Sequence, residues 1–394
     1  MNKENLICRK KDIYLYNRFR QLISVKMRIY NGVDVDVGGS GGDEGKGITA
    51  AYLASTKNYS ILLRNPSPQA GHSLPNKNGE KIALATLPCG VMSNDHSRIL
   101  LGAGSLINVS KFFNEIEKTN IDSRRIGIDY QAAIVTPEHI EEERGNENLM
   151  KGVGSVGSGV GPCRRDRIMR VKGFQLARDI PELKPFLTDA VGEIYSTLEK
   201  GETILLEGDH GFKLSLIHGE YPKVTSRDTT TSGFLSEAGI NPFTIRDVYM
   251  CIKPYVTRVG PGPLEDEIFD EGVLEWAHNE GGEKGSVSKR LRRIGKLERE
   301  NILRASRING ATKICVTHMD AFKNENFRKV FGEPEEFLSQ IEKEICSKYP
   351  YPKIDLLSYG PKIEDIVEYP RPEIDLLKMT EGLNDFIGKI MSLK

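Results

Sequence analysis

The sequence predicts an α/β protein. It is expected to have a large, mainly parallel central sheet with crossover helices, a P-loop-like phosphate loop, and small subdomains within one domain over residues 27–394. Three observations lead there. A short apolar alternation, Val33, Val35 and Val37, runs through a glycine-rich turn into a helix-like stretch, 48–54. Between residues 82 and 130, strand-like runs alternate with helical spacing, the pattern of a parallel sheet with crossovers. Three apolar strands, 203–206, 314–317 and 354–358, each end in a polar loop, and open α/β sheets place their ligands at strand carboxyl ends.

Taken in order, residues 1–26 are charged and weakly patterned; they read as an N-terminal extension, with Met27 as an alternative start. The stretch 37–47, VGGSGGDEGKG, joins the first strand to the first helix. A turn at that place leaves backbone N–H groups unpaired at a helix N-terminus, where the macrodipole also favours negative charge, so phosphate is the natural ligand. Lys46 adds a point charge. The usual phosphate-loop pattern nevertheless fails, because Ser40 stands at the first glycine position and Gly47 where a magnesium-binding hydroxyl is expected. Asp43 and Glu44 are then the nearest metal candidates, and two carboxylates in a phosphate loop call for a cation or a proton transfer. A plain helix-capping turn is the alternative.

A second strand is expected at 60–63, followed by a loop, 64–72, that two prolines and Gly71 force. His72 in such a loop is a surface residue unless the loop faces Asp43. A helix carries Phe112, Phe113 and Ile116, and a strand follows at 126–130. The segment 152–161, GVGSVGSGVG, reads as a linker or a loop closing over a ligand; Arg164, Arg165, Arg167 and Arg170 directly after it favour an anion-binding loop over a solvated basic face. Two amphipathic helices are expected within 174–200, around Pro181 and Pro185. The hydroxyl-rich stretch 224–232 is a further phosphate or sugar contact, or a solvated turn. Residues 256–262 resemble a strand entering a tight turn, and Lys289, Arg290, Arg292 and Arg293 form a suitable clamp for a carboxylate or phosphate, or else a common nucleic-acid or surface-face pattern.

Composition narrows the partners. Lys and Arg together number 55, as do Asp and Glu, so no global basic field argues for nucleic acid. No apolar run reaches the roughly 18–20 residues of a membrane span, and no signal peptide opens the chain, so a cytoplasmic protein acting on small molecules is expected. The six cysteines lack metal-binding spacing and read as reduced thiols.

Together these blocks resemble the adenylosuccinate synthetase family across residues 30–370: GDEGKG, AGH, GAGS, GSVGSGVGP, EGxxGF, YPxVTS, TRVGPGP, an arginine cluster, and TxxD before a late SxGP. Several blocks are closest to the shorter, archaeal-like members. The resemblance implies a ligase that condenses L-aspartate with the 6-oxo carbon of a purine nucleotide, using Mg²⁺ and a nucleoside triphosphate, usually GTP, with ATP or dATP left open. Asp43 would take the N1 proton of the base, and His72 would stabilise charge on the departing β-phosphate. Asp43 and the Gly71 carbonyl would hold the metal. Gly42, Glu44, Gly45, Lys46, Gly47, Gly71, Asp320 and Gly360 would surround the triphosphate. Ser40, Gln69, Ser155, Val156, His210, Thr225 and Val259 would contact the purine nucleotide, joined by Arg170 from a neighbouring subunit of a homodimer. Val287, Arg290 and Arg292 would bind aspartate.

The departures are local. Ser40 and Gly41 stand where the family has Gln-Trp, His210 replaces a glutamine that touches the purine, and Val156 replaces a threonine at the 5′-phosphate. Leu291 interrupts the usual arginine run. Loss of a Trp and an amide beside the base makes room for a 2-amino group, and the 225–229 and 288–290 blocks resemble the phage branch that acts on dGMP in making 2-aminoadenine for DNA. That branch would place the enzyme in host cytoplasm. Its better-known members replace the loop aspartate, whereas Asp43 remains here. The altered base pocket favours dGMP over IMP, the substrate of ordinary AMP synthesis. A nucleotide sensor without ligase activity is the alternative from another class.

Overall fold

The computed structural model describes residues 32–75, 79–258, 264, 266–284 and 291–370. The extension at 1–26, Val259, Val287 and Arg290 lie outside them. Its ten-stranded sheet comprises β1 (Val33–Gly38), β2 (Ile61–Arg64), β3 (Arg98–Leu101), β4 (Ile126–Asp129), β5 (Leu187–Thr188), β6 (Ile204–Glu207), β7 (Ile245–Ile252), β8 (Lys313–Val316), β9 (Lys353–Ser358) and β10 (Ile366–Glu368). The order across the sheet is β10-β9-β8-β7-β1-β6-β2-β3-β4-β5. Every pairing is parallel except β9 with the edge strand β10. The predicted class therefore stands, with β1 near the centre.

Parallel strands covered on both faces bury every residue, the polar positions between Val33, Val35 and Val37 included. All six residues of β1 are buried, Asp34 and Asp36 included. Asp34 is balanced by Arg246 at 2.6 Å and by the Tyr59 hydroxyl at 2.5 Å. Successive residues of β6 enter opposite cores: Ile204 and Leu206 pack with Val33, Val35 and Val37, whereas Leu205 packs with Leu62 and Ile99. The first core is closed by α5 (Ala190–Glu199) through Ile194 and Leu198, and the second by α1 (Lys46–Thr56) through Leu53 and Ala54. Each buried Val, Leu or Ile among them contributes about 1.5–3 kcal/mol.

Two expectations change. The segment 174–200 holds one helix, α5, preceded by short 3-10 turns at Ala177–Asp179 and Pro181–Phe186 and the two-residue strand β5. Pro181 and Pro185 keep the chain from closing an α-helical ladder there. Strand β7, IRDVYMCI, has no counterpart in the sequence reading, because Arg246 and Asp247 disguise it; yet it is the direct neighbour of β1.

A parallel sheet sends all its carboxyl ends to one edge. There the loops after β1, β2 and β6 converge, and the Thr317 hydroxyl, just beyond β8, donates to the Glu44 carbonyl at 3.0 Å. Among the described residues, no helix is long and apolar enough to cross a membrane.

Candidate active site

The glycine-rich loop is built around Glu44. Its Oε1 accepts hydrogen bonds from the amides of Ser40 and Gly42, both at 2.8 Å, and from the Ser40 hydroxyl at 3.0 Å. Its Oε2 lies 3.0 Å from Lys46 Nζ, with both side chains buried. Burial opposes the Glu44 charge, but Lys46 and those amides hold the carboxyl below its ordinary range. Lys46 also donates to the Gly42 carbonyl at 3.1 Å. The expected metal candidacy of Glu44 is thereby corrected: its carboxylate faces inward and shapes the loop. Lys46 lies beneath the loop. Gly211 makes the tight fit possible, since a Cβ there would come within 2.4 Å of the Ser40 carbonyl oxygen and 2.5 Å of the Gly42 nitrogen.

Asp43 behaves differently. Its side chain is 31% exposed, and Oδ1 lies 2.7 Å from Arg292 Nη2. Arg292 also reaches Glu283 at 2.6 Å, and Glu283 in turn pairs with Lys253 at 2.7 Å. The arginine assigned to an aspartate substrate thus already holds the loop aspartate from the side. Oδ2 of Asp43 makes no hydrogen bond among the described residues.

His72 begins a short antiparallel hairpin, His72–Pro75 with Lys81–Leu84, and does face Asp43 across a cleft. Its Nδ1 sits 2.6 Å from Glu207 Oε1 at the end of β6, and its Nε2 is buried without a partner. Burial, then the nearby Arg64 guanidinium, push its pKa below the usual histidine value, while Glu207 opposes them. Arg64, fully buried, donates to Asp209 at 2.9 and 2.7 Å and to the carbonyls of Leu87 and Ala70. This network fixes the 64–72 loop against the 207–211 loop.

The cleft between these loops has a volume of about 320 Å³. It gathers Gly42, Asp43, Gln69, Gly71, His72, Ser155, Val156, His210 and Thr225, nine of the residues expected to act together. Gln69 donates to the Thr225 hydroxyl at 2.5 Å, which joins two separately expected contacts. Ser155 bonds to Glu143, itself in the cleft wall. His210 has a left-handed backbone, φ 60°, and an Nδ1 that is buried and unpartnered. Burial drives its pKa down to about 3, so the ring is neutral.

Other expected residues stand apart from that cleft. Gly45 and Gly47 belong to the loop and the first turn of α1; Gly47 packs on His72, where a Cβ would lie 2.8 Å from the His72 Cβ. Asp320 lies on the turn Met319–Lys323 after β8, its pKa raised by burial, and Gly360 follows β9 at the same sheet edge. Arg170 ends α4 (Val160–Met169) and is exposed, with the apolar Ile168, Met169 and Val171 exposed beside it. The 224–232 stretch is no solvated turn: Arg227, Thr229, Thr230 and Thr231 are buried, and Thr230 caps α6 (Thr231–Ala238).

Four cleft residues escaped the sequence reading: Glu143, Lys213, Lys223 and Arg258. Lys213 pairs with Glu298 and Glu220, each at 2.6 Å, and Arg258 reaches Glu220 at 3.0 Å. Lys223 donates to the Gly152 carbonyl. Two quoted blocks hinted at a pair of them: the variable position of YPxVTS is Lys223, and Arg258 is the arginine of TRVGPGP.

A family model for adenylosuccinate synthetase matches residues 35–180 and 171–331. Adenylosuccinate synthetases of Thermococcus onnurineus and a Pyrococcus species are 38% and 40% identical to the chain, each alignment covering 84% of it and 97% of the relative. Among solved structures, the cyanophage S-2L succinoaminodeoxyadenylate synthetase, bound to dGMP and to dATP as an energy donor, matches with a TM-score of 0.73 at 26% identity, over 86% of this chain and 96% of its own. Fully ligated adenylosuccinate synthetase from Plasmodium falciparum matches with a TM-score of 0.74 at 25% identity, over 86% of this chain and 100% of its own.

Proposed function

The chain belongs to the adenylosuccinate synthetase family, and from that premise we propose that it is the dGMP-using member of a ligase class that joins aspartate to a purine nucleotide. The product would be the 2-amino-2′-deoxy-N6-succinyladenylate that leads to 2-aminoadenine in DNA. The observation that carries the choice of base is His210. A neutral imidazole offers an acceptor nitrogen, its Nδ1 is buried without a partner, and the ring stands in the wall of the cleft. The 2-amino group of guanine supplies the N–H donor that satisfies it; hypoxanthine has only C–H at that position. Gly41, also in the cleft wall, leaves room beside the base.

In the proposed reaction Asp43 removes the N1 proton, and O6 attacks the γ-phosphorus of the triphosphate, releasing nucleoside diphosphate. The aspartate amine then attacks C6, phosphate departs with the former O6, and the amine gives up a proton. His72 directs Nε2 at the departing β-phosphate, a use for a nitrogen that is otherwise buried and unpartnered. Mg²⁺ fits the donors present, since the partly exposed Asp43 carboxylate and the Gly71 carbonyl are hard oxygen ligands on one cleft. When bound there it would supply charge neutralisation to the phosphoryl oxygens. GTP, ATP and dATP remain the candidate donors; a guanine would be read by Asp320, on the turn after β8. Arg170 and its exposed apolar neighbours would meet a second copy of the chain in a homodimer.

IMP is the second reading, favoured by the identity to archaeal adenylosuccinate synthetases and by the presence of Asp43. Incubation with Mg²⁺, aspartate and each triphosphate, with dGMP, GMP or IMP, decides between them by mass spectrometry of the product. The proposal requires dGMP to give the highest kcat/KM, and His210→Gln to shift preference toward IMP by roughly tenfold, as loss of one buried acceptor implies. Turnover of IMP alone would overturn it.

A further inference from the structure

We infer that Lys223 is the cation of the nucleotide's 5′-phosphate subsite; the inference rests on the reading of the cleft as a purine monophosphate site. Ser155, Val156 and Thr225 share the cleft with Lys223, Gly154 and Gly161. Two features make that corner demand a cation. Val156 offers no hydroxyl, and Glu143 brings a carboxylate whose Oε1 holds the Ser155 hydroxyl while its Oε2 is buried and unpartnered. A dianionic phosphate beside a carboxylate is repelled unless positive charge intervenes.

The cations in the cleft wall differ in how far they are already compensated. Lys213 pairs with two carboxylates, Glu298 and Glu220, and Arg258 reaches Glu220. Lys223 has no ion-pair partner among the described residues; its recorded contact is the neutral carbonyl of Gly152, on the glycine-rich segment that leads to Ser155. An ammonium carries three donors, so Lys223 keeps Gly152 and still offers N–H groups to a phosphate. It therefore does two things at once: it neutralises the anion and ties the glycine-rich segment to the wall that carries Thr225.

The N-terminus of α4 assists. Gly159 caps it in a left-handed conformation, φ 79°, without a side-chain hydrogen bond, which leaves backbone donors at the same end of the cleft as Gly161. Within this chain the phosphate is thus met by hydroxyls, by these amides and by Lys223, beside the Arg170 proposed from a second copy and independent of which base the nucleotide carries.

The test is isothermal calorimetry of dGMP, IMP and deoxyguanosine against the full chain and its Lys223→Met and Lys223→Arg variants, at two salt concentrations. Lys223→Met should weaken both monophosphates by about 10- to 100-fold, as loss of a charge-assisted contact implies, leave deoxyguanosine unchanged, and flatten the salt dependence. Lys223→Arg should recover most of the affinity. Unchanged monophosphate binding in Lys223→Met would overturn the inference, and so would equal losses for nucleotide and nucleoside, which mark a loop tie only. Failure of the unaltered chain to bind any purine monophosphate would instead refute the underlying reading of the cleft.

Discussion

Replacing Glu207 by Gln probes how the cleft charges its histidine. The Glu207 carboxylate accepts from the Cys89 amide at 2.6 Å, holds His72 Nδ1 at 2.6 Å, and lies 3.6 Å from Arg64. A glutamine amide cannot serve all three. If its oxygen stays on Cys89, its NH₂ meets Nδ1, which must then accept, and the ring becomes a neutral Nε2–H tautomer. If the amide turns over, two N–H groups oppose each other at Cys89. In the free site burial and Arg64 hold the His72 pKa below its usual value, so its protonation has to come with the negative charge of the bound triphosphate. Either way the imidazolium formed on binding would lose its Glu207 counter-charge, and the β-phosphate would meet a neutral donor instead of a charged one. The difference between a charge-assisted and a neutral hydrogen bond is about 2 kcal/mol, which corresponds to about a 30-fold fall in kcat. The fold should survive, because Arg64 keeps Asp209 at 2.7 Å. Phosphate release at saturating substrates, with a thermal melt of the same sample, measures both quantities. A folded variant whose kcat stays within twofold of the unaltered enzyme would refute the role given to this pair.

Two other perturbations address the loop. Asp43→Asn keeps the shape but removes the base, so turnover should fall by about 100-fold or more in the same assay, with nucleotide affinity largely retained. Glu44→Gln should cost about 3 kcal/mol in denaturant unfolding, because it leaves the Lys46 ammonium buried without its partner. The pH dependence has a definite sign: the Glu44 carboxyl titrates lower in the folded chain than its ordinary 4.5, so its stabilisation is present above that value and is lost as pH falls through the lower folded one. The variant should lack that part of the acid-side slope.

Much of this site was legible in the sequence because its chemistry is carried by glycines and charged residues at strand ends. GDEGKG placed Asp43 in the cleft, and AGH placed His72 opposite it. What escaped was long-range compensation. Nothing local distinguishes Glu44, which holds its own loop together, from Asp43, which is partly exposed; the difference lies in which carboxylate meets Lys46. Strand β7 was hidden because Arg246, polar in sequence, answers Asp34 from a distant strand. Arg227, Thr229, Thr230 and Thr231 were masked in the same way: their hydroxyls and guanidinium look solvated until partners such as Asp209, Glu237 and Asn309 are brought to them. Prolines 181 and 185 interrupt an amphipathic pattern that extends over both of them in sequence but that α5 alone fulfils.

The central claim is that purine O6 is phosphorylated in this cleft before aspartate displaces it. Following heavy oxygen placed at O6 of dGMP tests it most directly. The account requires the label to appear in the inorganic phosphate, one labelled phosphate for each succinylated product. Unlabelled phosphate released alongside that product would contradict it.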